Sequence, residues 1–197
     1  MIKPIYFIII FALGLLFLSC EPGKSKMEKF EKFKIDENLS KNDTFKVISK
    51  YPELKLYNSE KIESTSRTAF ILHEDHFYEM FLERRKRLRF FKFDDYKCSA
   101  KYKDDTLTIW LNNYNGYFGN GVLVKVFEDQ FLIKDIDPKT LRGEIKFINS
   151  SPIYMNLTLN KSKFKRNDSI YGFIKYKTKI DSPVTKFFQG YFRTKIK

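Results

Sequence analysis

The fold class of this chain is decided by one stretch of sequence, Tyr96-Lys-Cys-Ser-Ala-Lys-Tyr102, followed by Lys103-Asp-Asp105 and Thr106-Leu-Thr-Ile-Trp-Leu111. On both sides of the acidic pair, apolar or aromatic side chains recur at every second position. This is the period of a β-strand that buries one face. Aspartates tolerate the left-handed backbone that tight turns require. The stretch therefore predicts a β-hairpin.

Two other parts of the chain repeat this order of strand, acidic turn and strand. One covers residues 68–73, Glu74-Asp75 and 76–81, and the other covers residues 122–127, 128–130 and 131–136. The alternating pattern continues towards the C-terminus without intervening helical segments. It predicts strands over residues 145–148, 153–159, 170–180 and 187–196, with turns at 149–152 and 165–168.

Two segments have a different or ambiguous pattern. Asn42-Asp43 is a suitable N-cap for a short helix over residues 44–50, which would end before Pro52. Residues 76–93 suit either a helix capped by Asp75 or a strand–loop–strand unit, and the alternation at Leu88 and Phe90 favours the strands. The whole pattern predicts an all-β fold, an antiparallel meander that forms a sandwich or a barrel, with a short N-terminal helix.

Composition excludes several classes of protein. The chain has 197 residues, 43% of them hydrophobic, which suits one folded domain and excludes general disorder. Two cysteines are too few for a zinc module with three or four thiolates. The net charge of +13 comes from 29 Lys and only 8 Arg. Nucleic-acid surfaces depend on arginine, so we interpret the excess as a soluble, lysine-rich surface and predict no nucleic-acid partner.

The N-terminus has the features of a secretory signal. Lys3 precedes an uncharged run over residues 5–18, and Ser19-Cys20 is followed by polar residues. A charged start, a short apolar run and a small residue before the cleavage point are typical of signal peptides. A run of fourteen residues is short for a spanning helix, which needs about 20.

Phe17-Leu-Ser-Cys20 resembles the lipobox of bacterial lipoproteins. Beyond this leader, the chain resembles small Lys-, Asn- and Phe-rich lipoproteins of the Bacteroidota in composition and β-hairpin style. The resemblance implies cleavage before Cys20 and a lipid on its thiol, hence a membrane partner through the anchor. It implies a signal peptide over residues 1–19. The abundance of Lys, Glu, Asn and Ser predicts that the lipidated Cys20 is followed by a flexible tether, over 20–43, and the alternating pattern predicts one β-rich domain over 44–197. The expected location is the bacterial cell envelope, on the periplasmic face of the outer membrane.

Two segments are candidate binding surfaces. The basic segment over residues 84–89 holds half of the arginines beside three phenylalanines, which suits the phosphates of anionic lipid or an acidic envelope protein. Its alternative is a solvated loop, and its binding residues are Arg84, Arg85, Lys86, Arg87 and Arg89. The 112–121 loop is rich in Gly, Asn and Tyr, a composition found in loops that bind glycans or proteins. Its alternative is a connecting turn, and its binding residues are Tyr114, Tyr117 and Phe118.

Candidate catalytic groups are few. Cys98 falls on the apolar face of its predicted strand, so we expect a buried and inert thiol. His73-Glu-Asp-His76 falls where a hairpin turn is predicted and lacks the spacing of metal-binding helices. We predict no catalytic residue, no metal and no cofactor, and an enzyme based on this turn is the weakest hypothesis. The expected function is that of a lipid-anchored binding or structural module. The alternative is a lipocalin-like carrier of a small apolar ligand.

Overall fold

The computed structural model describes residues 28–80, 86–140, 144–180 and 184–197, which form two β-sheets and one short helix. The strands are β1 (Glu31–Lys32), β2 (Lys34–Ile35), β3 (Ala69–Met80), β4 (Lys86–Phe93), β5 (Lys97–Lys103), β6 (Thr106–Asn112), β7 (Gly121–Phe127), β8 (Gln130–Ile136), β9 (Ser150–Leu159), β10 (Ser169–Ile180) and β11 (Val184–Lys195). The helix, α1, spans Asp43–Ser49. Single turns of 3-10 helix occur at Leu39–Lys41 and Pro138–Thr140.

The first sheet has the order β1-β8-β7-β6-β5 and contains the predicted meander. β5 and β6 pair from Lys97↔Asn112 to Lys103↔Thr106, and β7 and β8 pair in the same antiparallel way. The acidic turns have positive φ at Asp104, Asp105 and Glu128. The hairpins predicted around residues 103–105 and 128–130 are confirmed, because their strand alternation and turn chemistry are local properties of the sequence.

The second sheet has the order β2-β9-β10-β11-β3-β4. β10 and β11 form a long hairpin in which all twelve residues of each strand are paired. Ile170, Ile174 and Tyr176 are buried, whereas Lys175 and Lys179 are exposed on the opposite face. The strands predicted over 153–159, 170–180 and 187–196 are confirmed to within a few residues.

The two sheets pack face to face around a single large core. Inward side chains of both sheets form one cluster, which includes Leu107, Ile109 and Val124 of the first sheet and Ile174 and Phe192 of the second. The sheets also meet at their edges. Residues 31–35 pair first with β8 and then with β9, and the Lys197 N–H donates to the Ala100 carbonyl at 3.0 Å. The predicted all-β fold is thus confirmed, as a sandwich with joined edges.

The predicted short helix is also present. The Asn42 side chain accepts a hydrogen bond from the Thr44 N–H at 2.9 Å, as an N-cap does. Phe45 packs edge-on against Tyr171 and Tyr191 on the outer face of the second sheet. The helix therefore covers part of that face.

The prediction of a hairpin turn at Glu74-Asp75 is wrong, because β3 runs through both residues without a break. β11 pairs with one side of β3 and β4 with the other, so the backbone of this strand is hydrogen-bonded throughout its middle. Residues 76–93 therefore contain the end of β3 and the whole of β4. The helix considered as an alternative is not formed in the described residues of this stretch, 76–80 and 86–93.

Two other expectations differ from the structure. β9 begins at Ser150, inside the predicted turn at 149–152, and the predicted strand at 145–148 makes only an isolated bridge between Phe147 and Ile136. Residues assigned to the tether belong in part to the folded sandwich. Phe33 packs against the core and Leu39 is buried, because these side chains fill the gap between the edges of the sheets and the helix.

Candidate functional site

One end of the sandwich gathers most of the candidate binding residues. In the first sheet, β6 ends at Asn112, β7 begins at Gly121 and β8 ends at Ile136, so these three termini lie side by side. In the second sheet, Lys186 lies at the same level, because its Nζ is 2.7 Å from Oδ1 of Asp135. We call this end the aromatic end. It consists of the 112–121 loop, the last residues of β3 and the first residues of β4 and β11.

The β3–β4 hairpin extends past the level of Lys186. Lys186 pairs with Asp75 of β3, and β3 continues to Met80, which pairs with Lys86 of β4. The predicted binding residues Lys86, Arg87 and Arg89 therefore lie on the part of β4 that projects beyond the first sheet. They belong to a strand and not to a solvated loop, whereas Arg84 and Arg85 lie outside the described residues, as does Cys20.

Exposed aromatic rings mark both parts of this end. Tyr117 and Phe118 in the 112–121 loop are each 77% exposed. Phe91 of β4 is 53% exposed and makes an edge-on contact with Phe77 at 5.5 Å between ring centroids. The Nζ of Lys139 lies 5.8 Å from the centre of the Phe118 ring, within the range of a cation–π contact.

Side-chain amides organise the loop that carries the two most exposed rings. Oδ1 of Asn115 accepts hydrogen bonds from the N–H groups of Tyr117 at 3.0 Å and Phe118 at 2.9 Å. At the base of the loop, Oδ1 of Asn113 accepts from the Asn120 N–H at 2.6 Å. The loop backbone is thus held by its own side chains while the rings of Tyr117 and Phe118 point to solvent.

Tyr114, the third predicted residue of the loop, has a different role. Its hydroxyl donates to the Gly116 carbonyl at 2.6 Å, and its ring lies 6.4 Å from that of Tyr57. Gly116 has a φ of 99°, a conformation that glycine adopts without strain. Tyr114 therefore supports the loop and is only partly accessible.

The opposite end of the first sheet is acidic. Its two hairpin turns contain Asp104, Asp105, Glu128 and Asp129, and all four are exposed. Lys32 pairs with Asp129 at 2.7 Å across this end. This end of the sandwich also carries exposed basic residues, because the Asn167 N–H donates to the Ile196 carbonyl and Ile196 bridges to Ala100 of β5. Lys103, Lys165 and Arg166 are exposed there, so this end is mixed in charge, whereas the other end is distinguished by its exposed aromatic rings.

A buried ion pair lies directly beneath the aromatic end. Asp135 and Lys186 are each 2% exposed, and Oδ1 of Asp135 also accepts a hydrogen bond from the Tyr176 hydroxyl at 2.8 Å. The Lys186 ammonium lies 5.4 Å from the centre of the Phe188 ring. Burial, together with the charge of Asp135, raises the pKa of Tyr176 well above its usual value, so this tyrosine stays neutral. The pair links β8 of the first sheet to β11 of the second.

A second buried polar group is centred on His73. Its Nδ1 lies 2.8 Å from the Tyr96 hydroxyl, and its Nε2 lies 2.7 Å from Oδ1 of Asp75. Burial, and next the charge of Lys186, lower the pKa of His73, which favours the neutral imidazole. Burial likewise raises the pKa of Tyr96. This Asp–His–Tyr chain could pass a proton along itself, but His73 and Tyr96 are fully buried.

The predicted His73–His76 turn is a strand whose side chains alternate between faces. His73 and Asp75 point into the core, whereas Glu74 and His76 contact each other at 3.2 Å on the outer side. The four side chains cannot converge on one ion. Within the described part of the chain, no group of three or more His, Cys, Asp or Glu residues is arranged to hold a metal.

The prediction for Cys98 is confirmed. The residue is 6% exposed, and burial raises the pKa of its thiol well above the usual value. Its N–H donates to Oγ1 of Thr68 at 2.9 Å, which ties β5 to the start of β3. A neutral, buried thiol is a poor nucleophile, so Cys98 is a core residue.

Two clefts of similar volume lie away from the exposed rings of the aromatic end. One, of about 650 Å³, separates the segment over residues 53–68 from the C-terminus and has mostly polar walls, including Glu60 and Lys97, which are paired at 2.7 Å. The other, also about 650 Å³, runs beside β8 and is lined by Leu132, Phe147 and Pro152. The second cleft is the more apolar and could take a hydrocarbon chain.

Comparison of the chain with protein-family models, curated proteins and solved structures gives no match in any of the three. Over residues 28–80, 86–140, 144–180 and 184–197, no helix has the length and apolar character needed to cross a bilayer. The fold and the geometry of the aromatic end are therefore the basis for inferring a function.

The exposed rings of Tyr117 and Phe118 were predicted from the sequence, but the buried ion pair of Asp135 and Lys186 was not. Both charged residues were visible as interruptions of apolar alternation. Asp135 follows Phe131 and Ile133 on the inward face of β8, and Lys186 precedes Phe188 on the inward face of β11. Two opposite charges at inward positions of two strands are a signal for a pair across the core.

Proposed function

We propose that this chain is a lipid-anchored protein of the bacterial cell envelope, attached through Cys20, whose sandwich is a binding module that works through the aromatic end. The observation that carries the proposal is the position of the two candidate surfaces at one end. Tyr117 and Phe118 are each 77% exposed there, and β4 extends past the level of Lys186 at the same end. We propose the periplasmic face of the outer membrane as the location, and the proposal includes no catalytic role.

The organisation of the 112–121 loop supports binding over a passive connection. Large exposed rings bury much apolar area when a partner covers them, and they lose little conformational entropy because they have only two rotatable bonds. The Asn115 hydrogen bonds already fix the backbone that presents these rings. Such preorganisation lowers the entropic cost of association.

The anchor is tested by replacing Cys20 with Ala in the full chain and fractionating the cells. Each buried CH₂ of an acyl chain contributes about 0.8 kcal/mol, and two chains anchor a protein stably. The C20A variant should leave the membrane fraction, whereas the matched C98A variant should remain in it. Retention of C20A in membranes would contradict the lipoprotein assignment.

The binding module is tested by crosslinking in intact envelopes. The full chain should give crosslinks, to protein or to lipid, that are lost in a Tyr117→Ser, Phe118→Ser double variant. Tyr51→Ser is the control, because this ring is also exposed, at 55%, and lies just after the helix. If the double variant and the control give the same crosslinks as the unaltered chain, the 112–121 loop is ordinary surface and the proposal fails.

The alternative function, a lipocalin-like carrier, has less support. The space between the sheets is occupied by the side chains of the core, including Phe131, Phe188 and Phe192. The apolar cleft beside β8 is the feature that favours a carrier. Mass spectrometry of the protein released from membranes, with its covalent lipid accounted for, would detect a second bound apolar molecule if the chain were a carrier.

A further inference from the structure

The path of the chain towards Cys20 leads to the aromatic end. β1 pairs antiparallel with the start of β8, Glu31 opposite Phe131, so residues that precede β1 run along β8 towards its last residue, Ile136. An ion pair between Glu28 and Lys134 continues this path. Ile136 lies beside Gly121, the residue that ends the 112–121 loop.

The distance available to the anchor is short. Eight residue steps separate Cys20 from Glu28, and an extended chain covers at most about 3.4 Å per residue, or about 27 Å. The first sheet has strands of seven residues, about 23 Å long. A bilayer that holds Cys20 is therefore within reach of the aromatic end, and the direction of the chain before β1 favours this end of the sandwich.

We infer that the aromatic end rests on the headgroup region of the membrane that holds Cys20, with anionic lipid headgroups as its partner. This inference rests on the proposed lipid anchor and adds the orientation and the partner. Tyr and Phe rings are favoured at the level of the headgroups. Basic residues such as Lys139 and those of β4 are attracted to an anionic surface.

The chemistry of the end favours lipid over a protein partner. Basic groups occur on both of its parts, Lys139 beside the loop and the run from Lys86 to Arg89 on β4. A fluid anionic surface can contact both parts at once without a matching shape, whereas a protein partner would need one. Because the anchor holds the domain at the surface, even weak contacts are made at high effective concentration.

Labels on the full, lipidated chain test the orientation. The environment-sensitive fluorophore NBD is attached at Lys139→Cys at the aromatic end, or at Lys103→Cys beside the acidic turn; Cys98 is buried and does not react. The proteins are reconstituted into vesicles of phosphatidylglycerol and phosphatidylethanolamine, with a nitroxide lipid that quenches at headgroup depth. We expect at least twofold quenching at position 139 and none at position 103.

Charge variants and a change of lipid test whether basic residues hold the aromatic end against anionic headgroups. Arg87→Gln with Arg89→Gln should at least halve the quenching at position 139, and so should vesicles of phosphatidylcholine. Lys101→Gln with Lys125→Gln removes two exposed lysines from the first sheet and should change nothing. Equal quenching at positions 139 and 103, or quenching at 139 that ignores both changes, would overturn the inference.

Flotation of the vesicles separates this inference from the proposed function. A chain that does not float has no lipid anchor, so the proposed function fails and the inference with it. A chain that floats but shows no quenching at position 139 is anchored with its aromatic end away from lipid, and only the inference is overturned. Crosslinking of the 112–121 loop to a protein in native envelopes, together with that result, would assign the surface to a protein partner.

Discussion

Replacing Lys186 with Met should destabilise the domain strongly, because it leaves Asp135 as a buried charge without its cation. Both side chains are 2% exposed, and their charged atoms are 2.7 Å apart. Removing one partner of a buried ion pair costs about 3–5 kcal/mol. The remaining hydrogen bond, from the Tyr176 hydroxyl, solvates only part of the carboxylate.

Urea unfolding at pH 7 measures this effect as a lower transition midpoint with an unchanged slope. The surface pair Lys46–Asp43 provides the matched control, since its side chains are 70% and 89% exposed. Lys46→Met should cost less than about 1 kcal/mol. The two variants remove the same chemical group, so the difference between them reports burial.

A double variant tests whether the unpaired charge is the cause. Asp135→Asn removes the charge but keeps an oxygen that can accept from the Tyr176 hydroxyl. Combined with Lys186→Met, it should recover at least about half of the lost stability, because no buried ion remains. An unpaired Asp135 charge is not the cause if Lys186→Met loses less than about 1 kcal/mol, or if the double variant is as unstable as the single one.

Three other predictions concern single residues. Burial lowers the pKa of His73 below its usual value of 6.5, so below that pH the unfolded chain binds a proton that the folded chain does not. The free energy of unfolding should therefore fall as the pH drops below 6.5. Urea unfolding at several pH values should show a weaker pH dependence of this free energy for His73→Phe. The Cys98 thiol should react with a thiol reagent only after unfolding, as absorbance in the C20A chain can measure, and rapid native reaction would contradict its burial. Gly190→Ala places a Cβ against the Phe70 carbonyl and should cost about 1–3 kcal/mol by thermal unfolding, and an unchanged midpoint would show that β3 and β11 can separate there.

The hairpins of the first sheet could be predicted because their determinants are close together in sequence. Leu107 and Ile109 alternate with threonines, and Asp104 takes the left-handed backbone that an aspartate tolerates. Nothing beyond about sixteen consecutive residues is needed for the turn and the buried face to agree. Local consistency of this kind is what makes a prediction from one sequence succeed.

The error at Glu74-Asp75 has the opposite origin. An acidic pair between two apolar runs is a turn signal when it is read locally. In the structure, Asp75 lies opposite Lys186 of β11 and Glu74 lies opposite Lys92 of β4. These basic partners are far along the chain, so their pairing with the acidic residues is visible only once the order of strands in the sheet is known.

The sequence predicted the two segments of the candidate site, but not that they lie at the same end of the sandwich. Composition alone indicated Tyr117 and Phe118 as surface residues of a loop, and their exposure confirms this placement. Their placement at the same end as the projecting part of β4 depends on the stacking of two sheets. No pattern within either segment contains that information, because it depends on contacts between the two sheets, such as the ion pair of Asp135 and Lys186.

The buried ion pair of Asp135 and Lys186 joins the two sheets that hold the two parts of the aromatic end. Asp135 belongs to the first sheet, which also holds the 112–121 loop. Lys186 belongs to β11, which pairs with β3, and β3 pairs in turn with the basic part of β4. Because an ion pair is more directional than an apolar contact, we expect this pair to hold the loop in position relative to the strand. The Asp135→Asn, Lys186→Met double variant should therefore fold and float with vesicles but show weaker quenching at position 139. Unchanged quenching in a folded double variant would show that the aromatic end does not need the pair to hold its two parts together.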